Sequence, residues 1–326
     1  MRIANPIYDS VFKYLMSDPA VARLIIATIT EMDIESLEPS VNEHITEVHA
    51  SLVVYRLDFR AKVRLPDGTT QLILIEVQKA KLPDDVMRFR RYIGEQYAHP
   101  DNCVVEKHQG RDRKTALPIL SIYFLAYPID GIETPVLRIR RGYFDAITRE
   151  ELKIRSPFVE GLTHDSIVIQ VSRLHEKART PLEQLLGFFD QQQLDPEDSR
   201  QLIVDEDGVP EQFRSIARIL LRATQSAEVR KRMILEDEYL KIIQDEERDK
   251  LAAFELLEKE RQLRLHTESE LKQAEAKLAD VLRAAQREKL ASAEALLQLG
   301  LSDEQMLKAT GLSALEIRDW IAAGRP

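Results

Sequence analysis

From Leu57 to Leu65 apolar and polar residues alternate strictly, with Leu57, Phe59, Ala61, Val63 and Leu65 on one face and Asp58, Arg60, Lys62 and Arg64 on the other. That period of two predicts a half-buried strand. Gln71 to Val77 is instead a mostly apolar, β-branched run, the pattern of a strand covered on both faces. Between them lies Pro66-Asp67-Gly68, in which proline suits the first corner of a type I turn and glycine the left-handed position that closes a three-residue hairpin loop. With this loop Leu65 pairs with Thr69, and counting back sets Asp58 opposite Glu76 and Arg56 opposite Gln78. A two-residue Asp67-Gly68 loop would shift the register by one and send the two carboxylates to opposite faces.

The rest of the chain divides by pattern. Ile7 to Met16 and Val21 to Thr30 read as helices separated by Asp18-Pro19, and Pro83-Asp84-Asp85 starts a third that reaches Tyr97 with Val86, Phe89, Ile93 and Tyr97 as its inner stripe. Pro118 to Tyr127 and Ser166 to Val171 read as buried strands. Helix, strands, helix, strand is the order of a mixed α/β sheet. After Arg173 the character changes: Pro181 to Asp190 and Glu211 to Arg222 are short helices, and Ala227 to Leu299 contains neither proline nor glycine. Within that stretch Leu271, Ala274, Leu278, Val281 and Ala285 form an a/d seam, broken by Glu288 and interrupted upstream by Arg264 and Thr267. A coiled coil fits this composition; a single amphipathic helix folded back on the body is the alternative. Two capping boxes, Ser302 with Gln305 and Ser313 with Glu316, flank Thr310-Gly311 and predict two short terminal helices. Their outline is that of a helix-turn-helix, but Arg318 is the second helix's only base, beside Glu316 and Asp319, which favours a packing or docking element over a groove reader.

Composition narrows the function classes. At 326 residues and 44% hydrophobic content the chain can bury one substantial core with length to spare. A single cysteine, Cys103, excludes an intramolecular disulfide and a cysteine-based zinc site. No charged-then-apolar leader follows Met1, and the longest apolar stretch, Leu117 to Ile129, is interrupted by Pro118, Ser121 and Pro128, so the expectation is a soluble cytoplasmic protein without a membrane partner. The net charge of −9 is uneven: residues 1–130 hold 16 basic and 18 acidic side chains, the remainder 30 and 37. Any nucleic-acid contact must therefore be local. The seven histidines have no metal-ligand spacing, and no G-x-x-x-x-G-K-[ST] or G-x-S-x-G stretch occurs.

Directly opposed residues of a hairpin have Cβ atoms roughly 4.5–5.5 Å apart on one face. Like charges at that spacing repel and raise one pKa, which points to a cation between Asp58 and Glu76; a solvated edge hairpin with ordinary surface charges is the alternative. An acid on one strand, a hairpin, then Glu76-x-Gln78 at the end of the next strand resembles the PD-(D/E)xK nuclease superfamily. Tyr8-Asp9-Ser10-Val11-Phe12-Lys13-Tyr14-Leu15 is similar to the D-x-x-F-K opening helix of its recombination-promoting nuclease and transposase-like branch, where glutamine at the position of Gln78 is usual. The resemblance covers Ile7 to Val171.

It implies a restriction-endonuclease-like core, a mixed sheet flanked by helices, over residues 1–175. A helical segment (176–226), a long helix or coiled coil (227–299) and a short helical hairpin (300–326) would follow. It implies further a metal-dependent endonuclease acting on DNA, serving recombination, transposition or defence against foreign DNA, with Mg²⁺ or Mn²⁺ held by Asp58 and Glu76. Gln78 would orient the attacking water without bringing the charge of the lysine found there in many superfamily members. Lys79, on the other face by alternation, cannot replace it simply; Lys13 and Asp9, one helical turn apart, are candidates to face the site, with a surface i,i+4 ion pair as the alternative. Arg88 and Arg91 on the third helix, and Arg111 and Arg113 in what reads as a loop, are the candidate phosphate contacts. The long helix is expected to mediate homodimerisation. The competing expectation is a nuclease-fold protein without the chemistry, which binds or assembles through its C-terminal helices.

Overall fold

The computed structural model describes residues 1–39, 59–80, 85–108, 111–174 and 179–322. Asp58 and Arg56 lie outside them. The chain forms two compact units, Met1–Ile242 and Ile243–Pro326.

The first unit is α/β. In chain order it contains β1 (Arg2–Ala4), α1 (Asp9–Met16), α2 (Pro19–Thr30), β2 (Ser36–Pro39), β3 (Phe59–Arg64), β4 (Thr70–Gln78), α3 (Asp85–Ala98), β5 (Cys103–His108), β6 (Arg111–Ala116) and β7 (Ile119–Leu125). After these come β8 (Val136–Ile139), α4 (Pro157–Leu162), β9 (His164–Gln170), α5 (Pro181–Leu186), β10 (Gln201–Ile203), α6 (Arg214–Gln225) and the start of α7 (Ala227–Gln298). Six strands make one mixed sheet in the order β2-β3-β4-β7-β9-β8. The pairs β4–β7 and β7–β9 are parallel, the others antiparallel. A parallel β4–β7 pair requires a crossover, and α3 with the β5–β6 hairpin supplies it.

The β3–β4 hairpin turns through Pro66-Asp67-Gly68. Leu65 N–H donates to Thr69 O and Gly68 N–H to Leu65 O, both at 2.9 Å, and Gly68 sits at φ +84°. Arg64 pairs with Thr70 and Phe59 with Ile75, so the register is that of the three-residue loop. β4 is buried from Leu72 to Gln78 on both faces. β3, by contrast, is not half-exposed: Arg60 on its polar face is 5% exposed and donates to Asn102 Oδ1, while Lys62 donates to Asp101 O at 2.6 Å. The turn between α3 and β5 covers this face, so alternation gave the correct parity but the wrong exposure.

Alternation along β4 assigns the two layers. Ile73, Ile75 and Val77 face a large core with Phe12 of α1, Ile25 and Ile26 of α2, and Phe124 of β7. Leu72 and Leu74 face a smaller one with Phe89 and Ile93 of α3 and Leu117 and Ile119. The buried stripe of α3 is Phe89, Tyr92, Ile93 and Gln96, whereas Val86 at 71% and Tyr97 at 38% are exposed. Tyr97 instead hydrogen-bonds His164 Nδ1 at 2.9 Å.

Residues beyond 175 complete the first core. Phe189 stacks on Phe124 at 4.6 Å between centroids and meets Phe12 at 6.4 Å, while Leu186, Phe213, Leu220 and Met233 are buried in the same cluster. β10 pairs with β1, a short sheet whose strands are too brief to leave a periodic signal in the sequence. The segment with Arg111 and Arg113 is strand β6, paired with β5, rather than a loop; its density of charge hid the strand, because the hairpin lies outside the main sheet.

In the second unit α7 continues to Gln298 and is followed by α8 (Asp303–Thr310) and α9 (Ala314–Ala322). Both capping boxes form: Ser302 with Gln305, and Ser313 with Glu316. Met306 and Ile317 are fully buried against Ala293, so the terminal pair is a packing element on the end of α7, and Arg318 stays exposed.

Candidate functional site

Glu76 and Gln78 occupy the carboxyl end of β4, two residues apart and therefore on one face. Both are buried, at 2% and 7% exposure, and Gln78 Nε2 donates to Glu76 Oε1 at 2.7 Å. Parallel pairing with β7 brings Tyr123 alongside Glu76, and Phe89 of α3 lies 3.9 Å from the Tyr123 ring, centroid to centroid. Burial pushes the Tyr123 hydroxyl well above its ordinary pKa, and the negative charge of Glu76 adds to the shift.

Arg60, opposite Leu74 on β3, shares this face. Burial lowers its pKa, its Nη2 is held by Asn102, and its Nε has no hydrogen-bond partner among the described residues. Asn102 in turn donates to Gln96 O at 2.7 Å, which ties the buried cation to the end of α3. Alternation put Arg60 on the polar face of a half-buried strand; only the covering turn shows it to be buried.

Lys79 emerges on the other face, as alternation requires. Its ammonium sits 3.6 Å from the Tyr8 ring centroid and pairs with Asp237 of α7. Asp9 and Lys13 form an i,i+4 ion pair at 2.7 Å on α1, the helix that packs through Phe12 on the Ile75 side of the sheet. They thus belong to the layer opposite the one that Glu76 and Gln78 face. Glu236 of α7 reaches the start of α1, accepting from Asp9 N–H and Ser10 N–H at 3.0 Å each. Glu236 and Asp237 were invisible in the sequence, where they are two acids among many on a long charged helix.

Of the four arginines expected to contact phosphate, Arg91 on α3 and Arg111 on β6 are exposed. Arg88 lies on α3 and Arg113 on β6.

Among the described residues no group of three or more His, Cys, Asp or Glu side chains is arranged to hold a metal ion. Glu76 nevertheless offers hard carboxylate oxygens at a strand end, the donor type suited to Mg²⁺, which takes one or two carboxylates and keeps several waters. No helix among the described residues is long and apolar enough to cross a membrane. Comparison with protein-family models, with curated proteins and with solved structures gives no match to this chain.

Proposed function

We propose that the chain is a metal-dependent DNA endonuclease of the PD-(D/E)xK kind, with its site at the carboxyl end of β4. The observation that carries this reading is the buried Glu76–Gln78 pair at the end of a strand whose hairpin register is fixed by Gly68. Counting along the sequence from the same Pro66-Asp67-Gly68 loop, the expectation is that Asp58 stands opposite Glu76. Asp58 and Glu76 would hold Mg²⁺ or Mn²⁺, which when bound polarises the scissile phosphate and lowers the pKa of a water. Gln78 orients through its amide, and Arg88, Arg91, Arg111 and Arg113 are the proposed contacts to the DNA backbone. The α7 segment beyond Ile242 would join two copies.

The test is cleavage of supercoiled, linear and single-stranded DNA with Mg²⁺ and with Mn²⁺. The expected result is metal-dependent cutting by the wild type and none by Asp58→Asn or Glu76→Ala, each still folded. Equal cutting by wild type and Glu76→Ala rejects the assignment.

The deep burial of Glu76 favours a second reading, in which the fold is kept as a binding or assembly module and the chemistry is absent. Folded protein that neither cuts DNA nor binds Mn²⁺ selects this reading.

A further inference from the structure

Asp237 is a point of convergence for separate segments of the first unit. Tyr8 Oη donates to Asp237 Oδ1 at 2.9 Å, Lys79 pairs with the same oxygen, and Arg200 Nη1 lies 3.9 Å from Oδ2. Its neighbour Glu236 accepts from the first two amides of α1. Those amides need an external acceptor, because Tyr8 at the N-cap gives no side-chain cap and the first turn of a helix leaves its N–H groups unpaired. A carboxylate at this place also meets the positive end of the helix dipole.

Asp237 also bears on the strand that ends in Glu76-Val77-Gln78. Lys79 follows Gln78 directly, and its ammonium is fixed between the Tyr8 face and Asp237. Burial lowers the pKa of Lys79, and Asp237 and Glu236 beside it oppose that shift. With Ala126 N–H donating to Gln78 O at 2.9 Å on one side and Lys79 clamped on the other, the end of β4 is held at consecutive residues.

We propose that Asp237 is a positioning residue for the strand-end site, on a stretch of α7 that Glu236 anchors to the start of α1, so that α7 up to Ile242 forms part of the site's scaffold. Asp237 fixes Lys79 and hence the direction of the Gln78 side chain; Glu236 holds α7 against the first amides of α1, in the layer opposite the site. This rests on the nuclease reading above for its functional consequence and on the contacts alone for its structural one.

The experiment uses the full chain with Asp237→Ala, Asp237→Asn, Glu236→Ala and Glu236→Gln. Mn²⁺ affinity is read by electron paramagnetic resonance, amide exchange at Asp9, Ser10 and Val77 to Lys79 by mass spectrometry, and folding by thermal melting. The expectation is that Asp237→Ala weakens Mn²⁺ binding at least tenfold and speeds exchange at Val77 to Lys79 by a similar factor while the protein remains folded. Glu236→Ala should speed exchange at Asp9 and Ser10, with Glu236→Gln restoring part of the protection. A merely structural contact would lower the melting temperature and leave the Mn²⁺ affinity of the folded protein unchanged; that result overturns the proposal. If wild type itself binds no Mn²⁺, the nuclease reading fails, and exchange decides the clamp: faster local exchange supports it, and unchanged exchange overturns it.

Discussion

Gln78 donates its side-chain amide to Glu76 Oε1 at 2.7 Å, with both groups buried on the face of β4 covered by α3. A lysine at position 78 would bring a charge into this place; the glutamine brings a directed dipole that holds one carboxylate oxygen. Removing a donor from a buried carboxylate costs about 1–3 kcal/mol. Gln78→Ala should therefore destabilise the fold by about that amount and leave partial metal-dependent cleavage, whereas Gln78→Lys should preserve or raise cleavage. Urea denaturation and a plasmid assay on the same preparations check this. Full loss of cleavage in Gln78→Lys with an intact fold would show that the amide's geometry matters more than charge.

The hairpin gives a prediction independent of chemistry. Gly68 has φ +84° and nothing within 4 Å of where a Cβ would sit, so Gly68→Ala meets no clash and its cost is conformational. That cost is about 1–2 kcal/mol for a left-handed residue other than glycine. Chemical denaturation should show a loss of this order with unchanged slope. Wild-type stability in Gly68→Ala would mean that the turn adopts another geometry in solution.

The hairpin register was legible because turn chemistry and alternation agree at Pro66-Asp67-Gly68, and parity then follows by counting. The buried strands β7 and β9 and the long α7 were legible from apolar runs and from the absence of proline and glycine. What the sequence concealed depends on contacts distant along the chain. The burial of Arg60 comes from a turn some forty residues away, and the pairing of β1 with β10 joins Arg2–Ala4 to the distant segment Gln201–Ile203. Glu236 and Asp237 stand out only once α7 is seen lying against α1. Of the candidate site, the shared face of Glu76 and Gln78 was legible by parity, and so was the departure of Lys79 to the other face. Asp9 and Lys13 form the i,i+4 pair that helical spacing allows.

Glu236 gives a pH dependence whose sign can be worked out. Burial raises its pKa above the ordinary carboxylate value, the charge of Asp9 adds, and the two amide hydrogen bonds oppose. The folded protein therefore holds a proton on Glu236 at pH values where the unfolded chain has lost it. Stability falls as pH rises from the ordinary carboxylate value to the raised one, and the cost is constant above that. Glu236→Gln should flatten this slope, and at neutral pH it should be more stable than Glu236→Ala, which lacks any acceptor for the α1 amides. Urea midpoints measured across pH 4 to 8 supply the comparison. Identical slopes in wild type and Glu236→Gln would assign the dependence to another group.

The two parts of α7 should behave differently when cut. Val229 and Met233 are buried in the first core, and Glu236 and Asp237 hold α1 and Lys79, so the helix up to Ile242 belongs to the first unit's fold. A chain ending at Gln225 loses all of these contacts; it should unfold without a sharp transition, because deleting each buried side chain of this size costs about 2–5 kcal/mol. A chain ending at Ile242 keeps them and should melt cooperatively. Beyond that point Leu271, Leu278 and Val281 on one seam are 59%, 60% and 64% exposed, an apolar stripe that a second copy can cover without disulfide or metal. The full chain should therefore sediment as a dimer at micromolar concentration and the chain ending at Ile242 as a monomer. Leu278→Glu in the full chain should give the monomer while leaving the melting of the first unit unchanged. A monomeric full chain would remove self-association from the function of this seam, and a dimeric chain ending at Ile242 would move the interface to the first unit.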